Sequence, residues 1–166
     1  KFDSKMFISE AKDKAMGKGR LKRNDVVMTT RGTIGNLGLY NDKVEFNNIR
    51  INSGMLIFRP NLQQIAPEYL FEVFRSGIFK KQIKKHVTGA AQPQLPIKTL
   101  VNFTLPVPES VNEQQIIVQK LNVLSAETKK LETIYQQKIN DLEELKKSIL
   151  QKAFSGELKT SREVAA

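Results

Sequence analysis

From Ser110 to Phe154 the chain runs without a single glycine or proline, and this stretch limits what the whole can fold into. Leu121, Leu124, Leu131, Tyr135, Leu142, Leu145 and Ile149 fall on alternating three- and four-residue steps. That is the spacing of a coiled-coil seam. Thr128, Lys138 and Lys152 interrupt it, while Ile134 and Ile139 widen it into a stripe. Ser110 with Glu113 three residues on forms a capping box directly after Pro106-Val107-Pro108, and Ser155-Gly156 supplies a stop. The spacing predicts one amphipathic helix of about 65 Å at 1.5 Å per residue. A chain of 166 residues needs no helix that long for a compact domain. The stripe calls for a partner helix.

Charge divides the chain at the same place. Residues 1–108 hold 18 Lys/Arg against 8 Asp/Glu, and residues 109–166 hold 9 of each. All of the net +10 therefore sits on the part before the helix. A basic domain of that size favours a polyanionic partner. Cysteine is absent, which excludes disulfides and thiolate metal sites. No apolar run reaches the ~18 residues of a membrane span, and no signal peptide is visible. The expected location is the cytoplasm, with no membrane partner.

In chain order, residues 1–23 are polar and lysine-rich, with a short helical pattern over Phe7–Ala15 and a loop at Met16–Arg20. Val26–Thr30, Leu37–Tyr40 and Met55–Arg59 read as strands, with Val44–Phe46 and Ile49–Asn52 as shorter candidates. Pro67 opens a helical pattern whose inner stripe is Leu70, Phe71, Phe74, Ile78 and Ile83, with a break at Ser76-Gly77. Thr88–Leu95 is a loop, Ile97–Val101 a helical turn, and Asn102–Val107 a last strand. The expected fold class is α+β: a β-dominated domain over residues 1–108, a long helix over 109–156 and a flexible tail over 157–166.

Three features carry candidate chemistry. Thr30-Arg31-Gly32-Thr33 opens a loop with glycines at 32, 35 and 38, a spacing that matches neither nucleotide fingerprint. The glycines read as a tight connection between strands, but Arg31, Thr30 and Thr33 are groups that reach phosphates or base edges. Lys80, Lys81, Lys84 and Lys85 share one helical face with no acid among them, which suits phosphate contact. Gln92 and Gln94 flank a proline in the following loop, and glutamine pairs bidentately with adenine. Arg50 joins the candidate DNA-facing set. His86 is the only histidine and has no partner ligand of its kind. No methyltransferase motif occurs, and the nuclease-like Glu144-Leu145-Lys146 lacks a companion acid on a strand. The chain is read as non-catalytic, with no cofactor and no metal.

Taken together, four segments resemble the specificity subunit of type I restriction–modification enzymes: Leu21–Tyr40, Pro67–Ile83, Gly89–Leu121 and Leu145–Leu158. The third is the most specific, with its Gly-x-x-Gln-Pro-x-Leu loop, then Leu-Pro-x-Pro, then Glu-Gln at the start of a long helix. The resemblance implies a target-recognition domain that binds one half of a split site in double-stranded DNA. It implies conserved helices that pair antiparallel and hold two such domains apart. It also implies partners: modification (methyltransferase) subunits, a restriction subunit, and a second helix from the other half of the subunit or from a homodimer. Methylation and cleavage belong to those other subunits. With one spacer helix and part of one recognition domain, the chain is expected to be a fragment of a longer specificity subunit, the alternative being a divergent half-subunit. Two other readings stay open. One is a nucleic-acid-binding interaction module with a helical dimerisation arm, and the other is the recognition domain of an adenine-N6 DNA methyltransferase.

Overall fold

Alternation in a single strand organises the core. In β1 (Asp25–Thr29), Val26 and Met28 are wholly buried while Val27 and Thr29 are only partly covered. In this computed structural model, which describes residues 6–158, β1 pairs antiparallel with β2 (Leu37–Tyr40) and with β3 (Met55–Phe58). The order is β2-β1-β3. The register sets Val26 opposite Leu39 and Phe58, and Met28 opposite Leu37 and Leu56. Directly opposed residues point to the same face, so one apolar face results.

Two consecutive helices supply the cover. α2 (Pro67–Arg75) begins on its proline, and α3 (Gly77–His86) restarts at Ser76, whose hydroxyl accepts from Phe79 N at 3.4 Å. Leu70, Phe74, Phe79 and Ile83 join Val26, Met28 and Leu95 in one buried cluster. Phe74 stacks on Phe79 at 4.4 Å and meets Phe58 edge-on at 4.6 Å. The break at Ser76 shifts the helical phase, so Phe79 takes the inward place and Ile78, expected inside, is exposed.

A second cluster holds the start of α4 (Val111–Phe154). Ala66, Tyr69 and Val73 pack with Val118, beside Leu105, Val111 and Ile117. Ser110 caps the helix by accepting from Glu113 N at 3.4 Å. At the far end Glu157 N bonds Lys152 O at 2.9 Å and Gly156 N bonds Ala153 O, with Gly156 at φ +76°. That is a Schellman closure, which requires the left-handed residue glycine tolerates best. The chain divides into two units at Val118: the mixed α+β unit, which includes the first two turns of α4, and the helical remainder from Gln119. In the second unit Leu121, Leu124, Leu131, Tyr135, Leu142, Leu145 and Ile149 are all exposed.

Three expected strands are not strands: side chains hold the backbone of two, and the third, Ile49–Asn52, meets the backbone of Gly19 and Leu21 in one isolated bridge. Over residues 41–46 side chains bond the backbone in place of a ladder. Arg23 Nη1 donates to Asn41 O at 2.6 Å and Val44 O at 2.8 Å, and Tyr40 OH donates to Phe46 O at 2.8 Å. Neither Val44–Phe46 nor Ile49–Asn52 forms a strand; Arg50 makes only a single bridge with Arg20. Asn102–Val107 is unpaired as well. Gln82 on α3 takes the place of a partner strand there, donating to Thr104 O at 2.8 Å and accepting from Thr104 N at 3.0 Å. Of the expected flexible tail, residues 159–166 lie outside the described residues.

Candidate nucleic-acid interface

Two loops far apart in sequence are sewn together at Arg31. Gly32 N donates to Pro93 O at 3.2 Å, and Leu95 N donates to Thr30 O at 2.9 Å. These bonds bracket Arg31 and Gln94 as a directly opposed antiparallel pair. In such a non-hydrogen-bonded pair the side chains leave on the same side and lie close. Gln94 is fixed from its other edge by reciprocal backbone bonds with Thr88, at 2.9 and 2.8 Å. Leu95 is buried in the main core and anchors the base of the loop. Gly89, at φ +86°, makes the pinch possible: a Cβ there would stand 2.6 Å from Gln92 O. The first loop is closed on itself as well, by Gly35 N to Thr29 O at 2.9 Å and a bond from the Thr29 hydroxyl to Thr33 O.

α3 adjoins both loops. A Cβ on Gly35 would lie 3.5 Å from Ile83 Cδ1, and α3 runs directly into Thr88. Lys80, Lys81, Lys84 and Lys85 are all exposed, and none has a carboxylate within ion-pair distance among the described residues. Lys84 and Lys85 sit in the last turn, where a cation is favoured by the helix dipole. Lys80 with Lys84, and Lys81 with Lys85, are like-charge pairs four residues apart, which destabilise a helix. Local stability alone does not account for this face.

The arginines separate into two groups. Arg20, Arg23, Arg50, Arg59 and Arg75 each lie against a carboxylate, and several also hold backbone carbonyls. Arg31 alone among the described arginines has no acidic partner, and it is exposed. Thr33, Gln92 and Gln94 are exposed with it, and their side chains make no hydrogen bond with another described residue.

Two expected DNA-facing residues are turned inward. Thr30 is only 4 % exposed, and its hydroxyl donates to Gly54 O at 3.2 Å. Its task is to hold β1 to the turn before β3. The Arg50 side chain is 10 % exposed and bonds the Asp13 carboxylate, Asp13 O at 2.6 Å and Lys18 O at 2.6 Å. It ties the N-terminal helix α1 (Glu10–Ala15) to the body, with Arg20 on the same carboxylate. Nothing local in the sequence separates these residues from Arg31, because Asp13 and Arg50 are 37 positions apart.

Gln114 was no candidate from its sequence position, beyond its place in the Glu-Gln pair. It is fully buried, accepts from Ala66 N at 2.9 Å, and donates to Gln64 O at 2.9 Å and Pro108 O at 2.8 Å. It joins the N-terminus of α2 to the first turn of α4. Tyr69 OH reinforces the joint by donating to Pro106 O at 2.8 Å, and burial, then the Glu113 charge, pushes its pKa above the ordinary value. No cluster of three or more His, Cys, Asp or Glu suited to a metal occurs among the described residues. No described helix is long and apolar enough to cross a membrane.

Comparison with known proteins places this architecture. Residues 10–144 match the family model for the type I restriction modification DNA specificity domain. The chain is 28 % identical over 151 residues to the type I restriction enzyme EcoBI specificity subunit of Escherichia coli, covering 91 % of this chain and 31 % of that protein. It is 27 % identical over 143 residues to the MjaVIII specificity subunit of Methanocaldococcus jannaschii, covering 84 % and 32 %. The chain thus spans about a third of the length of these relatives. Among solved structures, the HsdS subunit of Thermoanaerobacter tengcongensis shares the fold with a TM-score of 0.62 at 22 % identity, over 76 % of this chain and 32 % of that one. The type I restriction–modification S subunit of M. genitalium gives 0.52 at 16 % identity, over 83 % and 34 %. With a family model covering most of its length, the chain belongs to the type I restriction modification DNA specificity domain family.

Proposed function

We propose that the unit ending at Val118 reads one half of a bipartite double-stranded DNA target, and that α4 serves as the spacer joining it to a second recognition unit. The observation that carries this reading is the separation of cations by task. Five arginines are paired with carboxylates of this chain, while Arg31 and the four α3 lysines meet at adjoining elements with no acid to neutralise them. Polyphosphate backbone supplies the missing counter-charge. In this reading the lysines position the duplex, and Arg31, Thr33, Gln92 and Gln94 face base edges. The chain contributes recognition and no chemistry, and adenine methylation and cleavage fall to modification and restriction subunits of the same system.

Salt titration tests it. Lys84→Ala is expected to weaken duplex binding about equally on all sequences and to flatten the log K against log salt slope by ~1. An unchanged slope in this variant and in Lys81→Ala would remove the α3 face from the interface.

A further inference from the structure

The strand-like pairing of the two loops has a consequence for what is read. Arg31 and Gln94 are not merely near each other. They are a cross-strand pair held in register by Gly32 N to Pro93 O and Leu95 N to Thr30 O. The Cβ atoms of such a pair lie about 4.5–5.5 Å apart on one face. Successive bases along a DNA strand rise by about 3.4 Å. A rigid pair at that separation addresses neighbouring base pairs, not distant ones. The chemistry of the two side chains names the bases. A guanidinium presents paired donors that match guanine O6 and N7, and a carboxamide presents a donor and an acceptor that match adenine N6 and N7. Both side chains are exposed and make no hydrogen bond with another described residue, and the loop backbones that carry them are already fixed, so the ordering left for binding is that of the two side chains.

We infer that Arg31 and Gln94 act as one two-residue reader of adjacent purines, guanine and adenine, in the major groove. This rests on the DNA-recognition reading above and sharpens it to a base step. Pro93 and the Gly89 pinch maintain the pair without themselves reading bases. Gly89 closes the loop through the close approach to Gln92 O, and Pro93 O accepts the bond from Gly32.

The experiment is selection of binding sites from a random duplex pool by the 166-residue chain and its variants. The wild type should enrich a motif containing adjacent guanine and adenine. Arg31→Gln should convert the preference at the guanine position to adenine, and Gln94→Arg should convert the neighbouring adenine to guanine. Arg31→Ala should lose about 5- to 150-fold in discrimination at its one position. The inference is overturned if the altered positions are not adjacent, if both exchange variants select the wild-type motif, or if the wild type enriches no motif. Binding that stays salt-dependent and weakens in Lys84→Ala, with base preference unmoved by residues 31 and 94, would leave the DNA-binding reading standing and remove the reader. No duplex binding by any form would remove both.

Discussion

Asp25 opens β1 fully buried, and its carboxylate accepts from Arg59 Nε and Nη2 at 2.7 Å each and from Lys22 N at 2.7 Å. The bond to Asp25 raises the Arg59 pKa further. Arg59→Met would leave a buried carboxylate with one remaining donor. The expected loss is about 3 kcal/mol, the lower end for breaking such a pair because Lys22 N stays in place. A denaturant midpoint unchanged from wild type would contradict it. Tyr69 makes a second residue-scale case. Its folded pKa lies above the ordinary 10.0, so the stability it contributes is full below pH 10 and is lost as pH rises through the folded value. Tyr69→Phe removes the bond to Pro106 O, costing about 1 kcal/mol at neutral pH. The gap between wild type and variant should then narrow above pH 10, as read by denaturation at a series of pH values. A gap that widens there would be the wrong sign.

At the scale of elements, α3 carries opposing demands. Lys80→Glu replaces a like-charge pair with a favourable pair to Lys84 four residues on, worth about 0.5 kcal/mol in helix stability. The same substitution removes a cation from the proposed phosphate face. A more stable protein that binds duplex more weakly is expected, measured by thermal melting alongside salt-titrated binding. If melting and binding moved together, the face would be structural. Gly89→Ala tests the neighbouring loop: φ +86° and the 2.6 Å approach to Gln92 O leave no room for a Cβ. Local cost should be about 1–2 kcal/mol, with base selectivity falling more than overall stability.

These elements also show which features a linear reading reaches. Pro67, Ser110 with Glu113, and Gly156 are local signals, and the helix boundaries they mark fall where expected. The strands read over 44–46 and 102–107 fail because Arg23, Tyr40 and Gln82 satisfy that backbone from a distance, and 49–52 stops at one isolated bridge to the backbone around Arg20. The site follows the same logic. Residue type alone puts Arg31 and Arg50 in one class, and only the long-range partner Asp13 removes Arg50. Likewise nothing sequential distinguishes Thr30 from Thr33 until Gly54 is seen to accept the Thr30 hydroxyl.

For the whole molecule the open question is what covers the helical unit. Its seam, Leu121 through Ile149, is exposed along its length, and burying it against a second seam would gain roughly 25 cal/mol per Å² of apolar surface. We expect the isolated chain to dimerise antiparallel through this seam, so that a monomer by sedimentation at micromolar concentration would count against pairing. Orientation is separately accessible because the chain contains no cysteine. The seam is centred on Tyr135, fourteen residues from both Leu121 and Ile149. In an antiparallel pair Leu121 of one copy therefore meets Ile149 of the other, whereas in a parallel pair each meets itself. Leu121→Cys and Ile149→Cys chains should each resist oxidative cross-linking alone and cross-link when mixed. Cross-linking of each variant with itself, with no 121–149 cross-link formed in the mixture, would establish parallel pairing and remove the spacer geometry proposed for α4.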